Sequence, residues 1–264
     1  PAEEGGGGKI KLLSAGVFDG VDCAMMIHGL DRFLLHSPLL GIVRVSVEFH
    51  GKAAHASAAP WKGINALDAV IQTFNGINAL RQHLRPEVRI HGIITNGGVA
   101  PNIIPEYAAA TFYVRAASIA SLREVQKKFI ACAEGAAAAT GARLQVSQDE
   151  MVYQPLKKNE TLLSLFKANL NRLGVMEEPP ESEVAMGSSD IGNVSQALPA
   201  IHPYIKLAPA GPPIHSRDFA EAAVGPAARE GLLIAAKALA MTAADLLSTP
   251  EAVARAKKEF EERS

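Results

Sequence analysis

The sequence predicts an α/β protein in which a ferredoxin-like β-α-β-β-α-β unit is inserted into a second, discontinuous α/β domain. Three observations lead there. Over about residues 41–150, strands and amphipathic helices follow in the order strand, helix, strand, strand, helix, strand. Outside that span lies a continuous apolar run, VDCAMMIH, of the kind that fills parallel sheets covered by helices. The length of 264 residues, with 48% hydrophobic and 20% charged content, accommodates one large domain or two smaller ones.

Taken in order, KIKLLSAG reads as a short helix closed by Gly16. VDCAMMIH, Val21 to His28, reads as a buried strand with His28 at its carboxyl end, the edge at which open α/β sheets bind ligands. GIVRVSVEFH alternates, with Val43, Val45, Val47 and Phe49 on one face and Arg44, Ser46, Glu48 and His50 on the other. INALDAVIQTFNGINAL places Ile64, Leu67, Val70, Ile71, Phe74, Ile77 and Leu80 at helical spacing. EVRIHGIIT and YAAATFYVRA are strands, SLREVQKKFIACAEGAAAATG is a helix with Gly141 beyond its end, and ARLQVSQ is a last strand. From Met151 the sequence gives an amphipathic helix (ETLLSLFKANLNRLG), a loop rich in Pro and acid, and a helix begun by GSSD and capped by Ser or Asp. A strand (AIHPYIKLAP), a loop (GPPIHSRDF), the long helix REGLLIAAKALAMTAADLLS and a charged helical tail close it. The expected domains are 1–40 with 151–264, and 41–150.

Composition excludes several classes of function. A net charge of −1 with no block of like charge points away from nucleic acid and anionic membrane. Cys23 and Cys132 form no CxxC, which fits a reducing compartment and excludes a thiolate zinc site. The most apolar late stretch is cut by Lys237 and Asp245, so no membrane span is expected. No signal-peptide pattern is visible, and a cytoplasmic location is the expectation.

The stretch PAEEGGGGK bears on chemistry in three ways. A phosphate loop needs Ser or Thr after its lysine, but Ile10 follows Lys9, and the two carboxylates would repel a phosphate. A flexible leader is a second reading. In the third, one carboxylate of the Glu3–Glu4 pair ligates a metal while its neighbour takes a proton from water, and the glycines let backbone approach closely. His28 and His215 add imidazoles suited to zinc, manganese or cobalt. His202, in AIHPYIKL, either packs near such a site or orients a ligand. Ser188, Ser189 and Asp190 serve equally as a helix start or as a site wall.

PAEEGGGGK, AMMIHG, GKAAHASAAPWKGINALDAV, NGGVAPNIIPEYA, FYVRA, GSSDIGNVSQALPAIHPY and PPIHSRDFAEAA occur in the order seen in the aminoacylase, carnosinase and aminobenzoyl-glutamate hydrolase family of metallopeptidases. The chain resembles that family almost from end to end, and within it the subgroup of amidohydrolases and dipeptidases that includes β-alanyl-lysine dipeptidase. The resemblance implies a metallopeptidase-type α/β catalytic domain interrupted by a ferredoxin-like lid that also forms a homodimer. It implies hydrolysis of the amide bond in a small N-acyl amino acid or dipeptide, with two divalent metal ions, zinc or manganese, per site. Glu3 would be the general base acting on metal-bound water, and Glu4, His28 and His215 metal ligands. His55 would polarise the scissile carbonyl, often that of the partner subunit, and Asn102 and Arg115 would hold the substrate's carboxylate. Ser189, Asp190 and His202 would line or support the site. The family pattern has a further His-x-Asp or Cys-Gly-His segment upstream that supplies the remaining ligands. The sequence begins downstream of it, at Pro1, so the expected catalytic domain is the C-terminal portion of that pattern. The alternative reading is a catalytically inactive fragment that serves only to dimerise or bind.

Overall fold

In the computed structural model, which describes residues 5–149, 151–178, 187–209, 211 and 214–262, the chain opens with helix α1 (Gly8–Ser14) and two short strands, β1 (Ala24–Met25) and β2 (His28–Leu30). Strand β3 (Gly41–His50), helix α2 (Ala66–Arg81), strands β4 (Arg89–Asn96) and β5 (Tyr107–Ala116), helix α3 (Ile119–Thr140) and strand β6 (Arg143–Gln148) follow. Helices α4 (Glu160–Arg172) and α5 (Ile191–Ala197), strands β7 (Ala200–Ile201) and β8 (Tyr204–Lys206), and helices α6 (Arg217–Ala222), α7 (Pro226–Ser248) and α8 (Pro250–Glu262) complete it. The chain divides into two units, Leu40–Pro155 and the paired segments Pro1–Leu39 and Leu156–Ser264.

Leu40–Pro155 is built on period-two burial. Its sheet has the order β4-β5-β3-β6, antiparallel throughout, which is the ferredoxin-like arrangement. Val43, Val45, Val47 and Phe49 of β3 are buried, and so are Ala108, Ala110, Phe112 and Val114 of β5. Helices α2 and α3 cover that face with Val70, Ile77, Leu122, Val125 and Phe129. Phe112 ties both helices to the sheet, with ring centroids 4.7 Å from Phe74 and 5.0 Å from Phe129. Burying a side chain of this size contributes about 1.5–3 kcal/mol, an upper bound because the unfolded chain is itself partly collapsed. Caps set the helix limits. Asn65 Oδ1 accepts from the N–H groups of Leu67 and Asp68, Ser118 Oγ accepts from Ser121 N–H, and Gly141 at φ 77 ends α3. Strand β4 is an edge whose residues, except Ile90, are exposed. Gly92 is required there: a Cβ would meet the Phe112 ring at 2.4 Å.

The other unit holds two short parallel ladders, β1 with β7 and β2 with β8. The expected single strand Val21–His28 is therefore interrupted, and His28 begins β2 instead of ending a strand. AIHPYIKLAP is interrupted in the same place, at His202 and Pro203. The cause is Pro203, which has no N–H for a ladder. Across the break, Met26 N–H donates to Ile201 O at 3.2 Å and His28 N–H to Pro203 O at 3.0 Å. Burial differs from the expectation as well: Cys23–His28 is half-buried, because among the described residues β1 and β2 each have a strand on one side only.

Helices α4, α7 and α8 pack around Leu162, Leu163, Phe166, Leu170, Ala238, Leu246, Ala252 and Ala256, with Ile201 of β7. The buried Asn169 side chain donates to Thr242 Oγ1 at 3.1 Å and Asp245 Oδ2 at 2.7 Å. Glu259 of α8 accepts from the N–H groups of Glu160 and Thr161, the orphan donors at the start of α4. By length and composition alone, α7 is apolar enough to cross a membrane, at 23 residues and mean hydropathy 1.5. Its small residues Ala228, Gly231, Ala235 and Ala238 are buried, and Leu232, Leu233 and Leu247 are exposed.

Candidate active site

In the unit that contains β2 and β8, parallel pairing puts His28 opposite Tyr204. The His28 ring lies 5.5 Å from that of His202 and 5.6 Å from Tyr204, and His202 meets Tyr204 edge-on at 4.9 Å. A carbonyl oxygen can only accept, so the 2.8 Å contact of His28 Nδ1 with Gly29 O makes Nδ1 the N–H nitrogen. Nε2 then carries the lone pair, the tautomer a metal-binding imidazole needs. His202 is 2% exposed, and neither ring nitrogen has a hydrogen-bond partner. Burial, and next the nearby His28 and Lys9, push its pKa down to about 3, so it is neutral.

Asp190 is a further fully buried polar residue of this unit. It precedes α5 but makes no side-chain cap there; the Ile191 N–H reaches only Ser189 Oγ, at 3.5 Å. Asp190 instead accepts from Lys9 twice, from the backbone N–H at 2.8 Å and from Nζ at 2.7 Å. The expected Ser or Asp cap is thus corrected for Asp190. Ser188 Oγ is buried with no hydrogen-bond partner, and Ser189 is buried.

His215 has φ 66, the sole positive φ outside glycine among the described residues, and is exposed just before Ser216, whose Oγ accepts from Phe219 N–H to cap α6. Left-handed backbone at a non-glycine residue is strained and is concentrated at functional sites. Glu3 and Glu4 lie outside the described residues. Among the described residues, no three of His, Cys, Asp and Glu gather around one point, so His28 and His215 do not form a three-ligand group with another such residue. The donor chemistry nevertheless fits a divalent metal: His28 offers Nε2 in the required tautomer, and His202 adds buried nitrogens without partners.

In Leu40–Pro155, His55 follows the end of β3 and bridges Ile103. The N–H groups of Ser57 and Ala58 donate to His55 Nδ1 at 3.3 and 3.2 Å. Nδ1 is therefore an acceptor, and in the neutral ring Nε2 is the donor. Ala56 N–H donates to Asn102 O at 2.9 Å, which holds the two loops together. A cavity of about 390 Å³ opens beside them, lined by Ala56, Leu67, Val99, Pro101 and Ile103 among others. Arg115 is elsewhere. It sits near the far end of β5, across from Arg89 of β4, and from Tyr107 the strand runs about 26 Å to reach it at roughly 3.3 Å per residue. Arg115 is half-buried, its Nε has no hydrogen-bond partner, and burial lowers its pKa from the ordinary arginine value. One copy of the chain thus brings His55 and Asn102 together but leaves Arg115 apart.

Comparison with known proteins shows what the chain is similar to. Residues 39–140 match a peptidase dimerisation domain. The chain is 41% identical to the Xaa-Arg dipeptidase of Mus musculus over 98% of its own length and 61% of that protein's. It is 28% identical to one of the p-aminobenzoyl-glutamate hydrolase chains of Escherichia coli, over 93% of this chain and 63% of that one. In fold it matches a dinuclear metal-binding peptidase of the M20 family from Bacillus subtilis, with TM-score 0.70 at 22% identity, over 94% of this chain and 64% of that one. Residues 39–140 thus carry the M20 peptidase dimerisation domain, and the comparisons support the aminoacylase, carnosinase and aminobenzoyl-glutamate hydrolase family that the chain's motifs resemble. The chain spans about three fifths of the length of the relatives it matches.

Two features escaped sequence reasoning. The Lys9–Asp190 pair joins residues 181 apart, and no local pattern marks it. The separation of Asn102 from Arg115 follows from β5 running unbroken between them, which strand length makes legible once their roles are paired.

Proposed function

We propose that this chain serves the hydrolysis of the amide bond of a small dipeptide with a basic C-terminal residue, or of a related N-acyl amino acid. The likeness to a dipeptidase over 98% of the chain supports the reaction class. The observation that carries the chemistry is the pair of histidine tautomers, a lone pair on His28 Nε2 and a proton on His55 Nε2. Divalent metal, zinc or manganese, held by Glu4, His28 and His215, would lower the pKa of water and polarise the amide oxygen. Glu3 takes the proton of the attacking water and returns it to the leaving amine. His55 Nε2–H donates to the carbonyl oxygen as it gains negative charge. Arg115, with an Nε free of other partners, and Asn102 bind the substrate's terminal carboxylate.

The length of β5 between Asn102 and Arg115 favours a homodimer in which His55 and Asn102 of one copy serve the site of the other. The match to a dimerisation domain supports this, and so does the bare edge of β4, where Ile93 and Ile94 are exposed. Cytoplasmic location remains part of the proposal, on the strength of two free cysteines.

The test is hydrolysis of Xaa-Arg and Xaa-Lys dipeptides by the purified chain supplied with zinc or manganese, beside Glu3→Gln. Glu3→Gln is expected to lose at least about 10³-fold in kcat while binding metal as before, the upper part of the range for losing a general base. Full turnover in that variant would remove Glu3 as the base. A second reading, a dimerising module without activity, draws on the lack of a three-ligand cluster among the described residues. Dimerisation without metal binding would favour it.

A further inference from the structure

Helices α2 and α3 cover one face of the Leu40–Pro155 sheet. Alternate residues of the strands form the other face. There the register sets Arg89 opposite Arg115, His91 opposite Tyr113 and Ile93 opposite Thr111. His91 and Arg115 are diagonal neighbours, about 7–8 Å apart at the backbone and within reach of each other's longer side-chain atoms. His91 is exposed, and its ring lies against that of Tyr113, with centroids 5.6 Å apart.

The charges nearest His91 are cationic, and all but one are engaged. Arg89 donates to Val88 O at 2.9 Å. Arg81, at the end of α2, donates to Ile90 O and Asn78 Oδ1. Arg44, beyond Tyr113, is paired with Asp149 at 3.8 Å. Arg115 has an Nε without a hydrogen-bond partner. Burial, and then Arg115 and Arg81, hold the His91 pKa below the ordinary histidine value, so its ring is neutral at neutral pH.

We propose that His91 is a second, proton-dependent ligand of the carboxylate held by Arg115, so that this sheet face grips the C-terminal carboxylate of a substrate more tightly as pH falls. The inference rests on the carboxylate role proposed above for Arg115. A carboxylate has two oxygens. One lies on the guanidinium, and the other comes within reach of the His91 ring. The negative charge offsets the repulsion from the arginines, and the ring takes up a proton and donates it in a charge-assisted hydrogen bond. Binding therefore raises the His91 pKa. Affinity is greatest below the pKa of the free chain and falls as pH rises from the free towards the bound value. With one proton linked, the fall is at most about tenfold per pH unit. A terminal carboxylate, with a pKa of about 3.5, stays ionised throughout.

The test measures binding of glycyl-arginine and of its C-terminal amide to the full chain without metal, by calorimetry between about pH 5.5 and 8, the range over which a histidine changes charge. The ratio of the two affinities isolates the carboxylate, because both ligands share the amine and the side chain. In the unaltered chain the ratio should fall at least about fivefold across that range, within the one-proton limit. His91→Gln should give a ratio that does not change with pH. His91→Lys, which fixes the charge, should keep the ratio at its low-pH value throughout. Arg115→Met should bring the ratio near one at every pH. The same fall in His91→Gln as in the unaltered chain, or a ratio that favours the carboxylate but ignores pH in the unaltered chain, would overturn the role of His91 and leave that of Arg115 standing. A ratio near one at every pH in the unaltered chain would remove both.

Discussion

Strand β3 runs ten residues without interruption and pairs on both sides, whereas β7 and β8 cover their stretch with two residues, a gap at His202–Pro203, and three. The contrast separates two uses of backbone. In β3 the ladder takes the N–H and C=O groups along most of the strand, and alternate side chains fill one core. At the break between β7 and β8, Pro203 withholds an N–H, and a buried histidine without a hydrogen-bond partner stands beside His28. Regularity serves stability in the first region, and its interruption sets His28 beside His202 in the second.

Four substitutions test that division, from the largest expected effect to the smallest. His28→Ala should abolish metal binding and turnover, at least about 10³-fold in kcat as for loss of an essential group, while leaving the thermal midpoint within a few degrees. A large loss of stability instead would make His28 a packing residue. In the sheet, Phe112→Ala should cost about 3–5 kcal/mol by urea unfolding, with metal affinity unchanged in the folded fraction. His36 sharpens the comparison through pH. Burial, and next Lys158, push its pKa down to about 4 from the ordinary 6.5. The folded state therefore holds fewer protons than the unfolded one between these values. Stability from this group is complete above pH 6.5 and falls as pH drops towards 4, by at most about 1.4 kcal/mol per pH unit. His36→Gln should flatten that slope in unfolding measured across pH 4–7. Asn65→Ala, which removes the cap of α2, should cost about 1 kcal/mol and leave the histidine cluster untouched.

The regular region was the more legible in the sequence. Val43, Val45, Val47 and Phe49 alternate because one face of β3 is buried, and Gly141 marks the end of α3 because left-handed backbone suits glycine. VDCAMMIH announced a strand with a parallel partner but not its break, since the break is imposed by Pro203, about 180 residues away in the chain. Asp190 looked like a cap because GSSD has the local pattern of one; its partner is Lys9, and a long-range ion pair leaves no local trace. The motifs named His28, His55, His202, His215, Asn102 and Arg115 as candidates, and the structure supplies tautomers for two of them. Spacing alone could not tell that β5 parts Asn102 from Arg115.

Arg115 faces Arg89 directly across the β4–β5 pair. Burial disfavours the charge of the Arg115 guanidinium, and neither arginine makes an ion pair with a carboxylate among the described residues. An incoming carboxylate would give Arg115 the counter-ion it lacks, so binding would offset a desolvation cost already present in the empty sheet. Affinity for acidic ligands should then weaken as salt rises and screens the pair, and a saturating carboxylate ligand should raise the melting temperature of this unit through binding linkage.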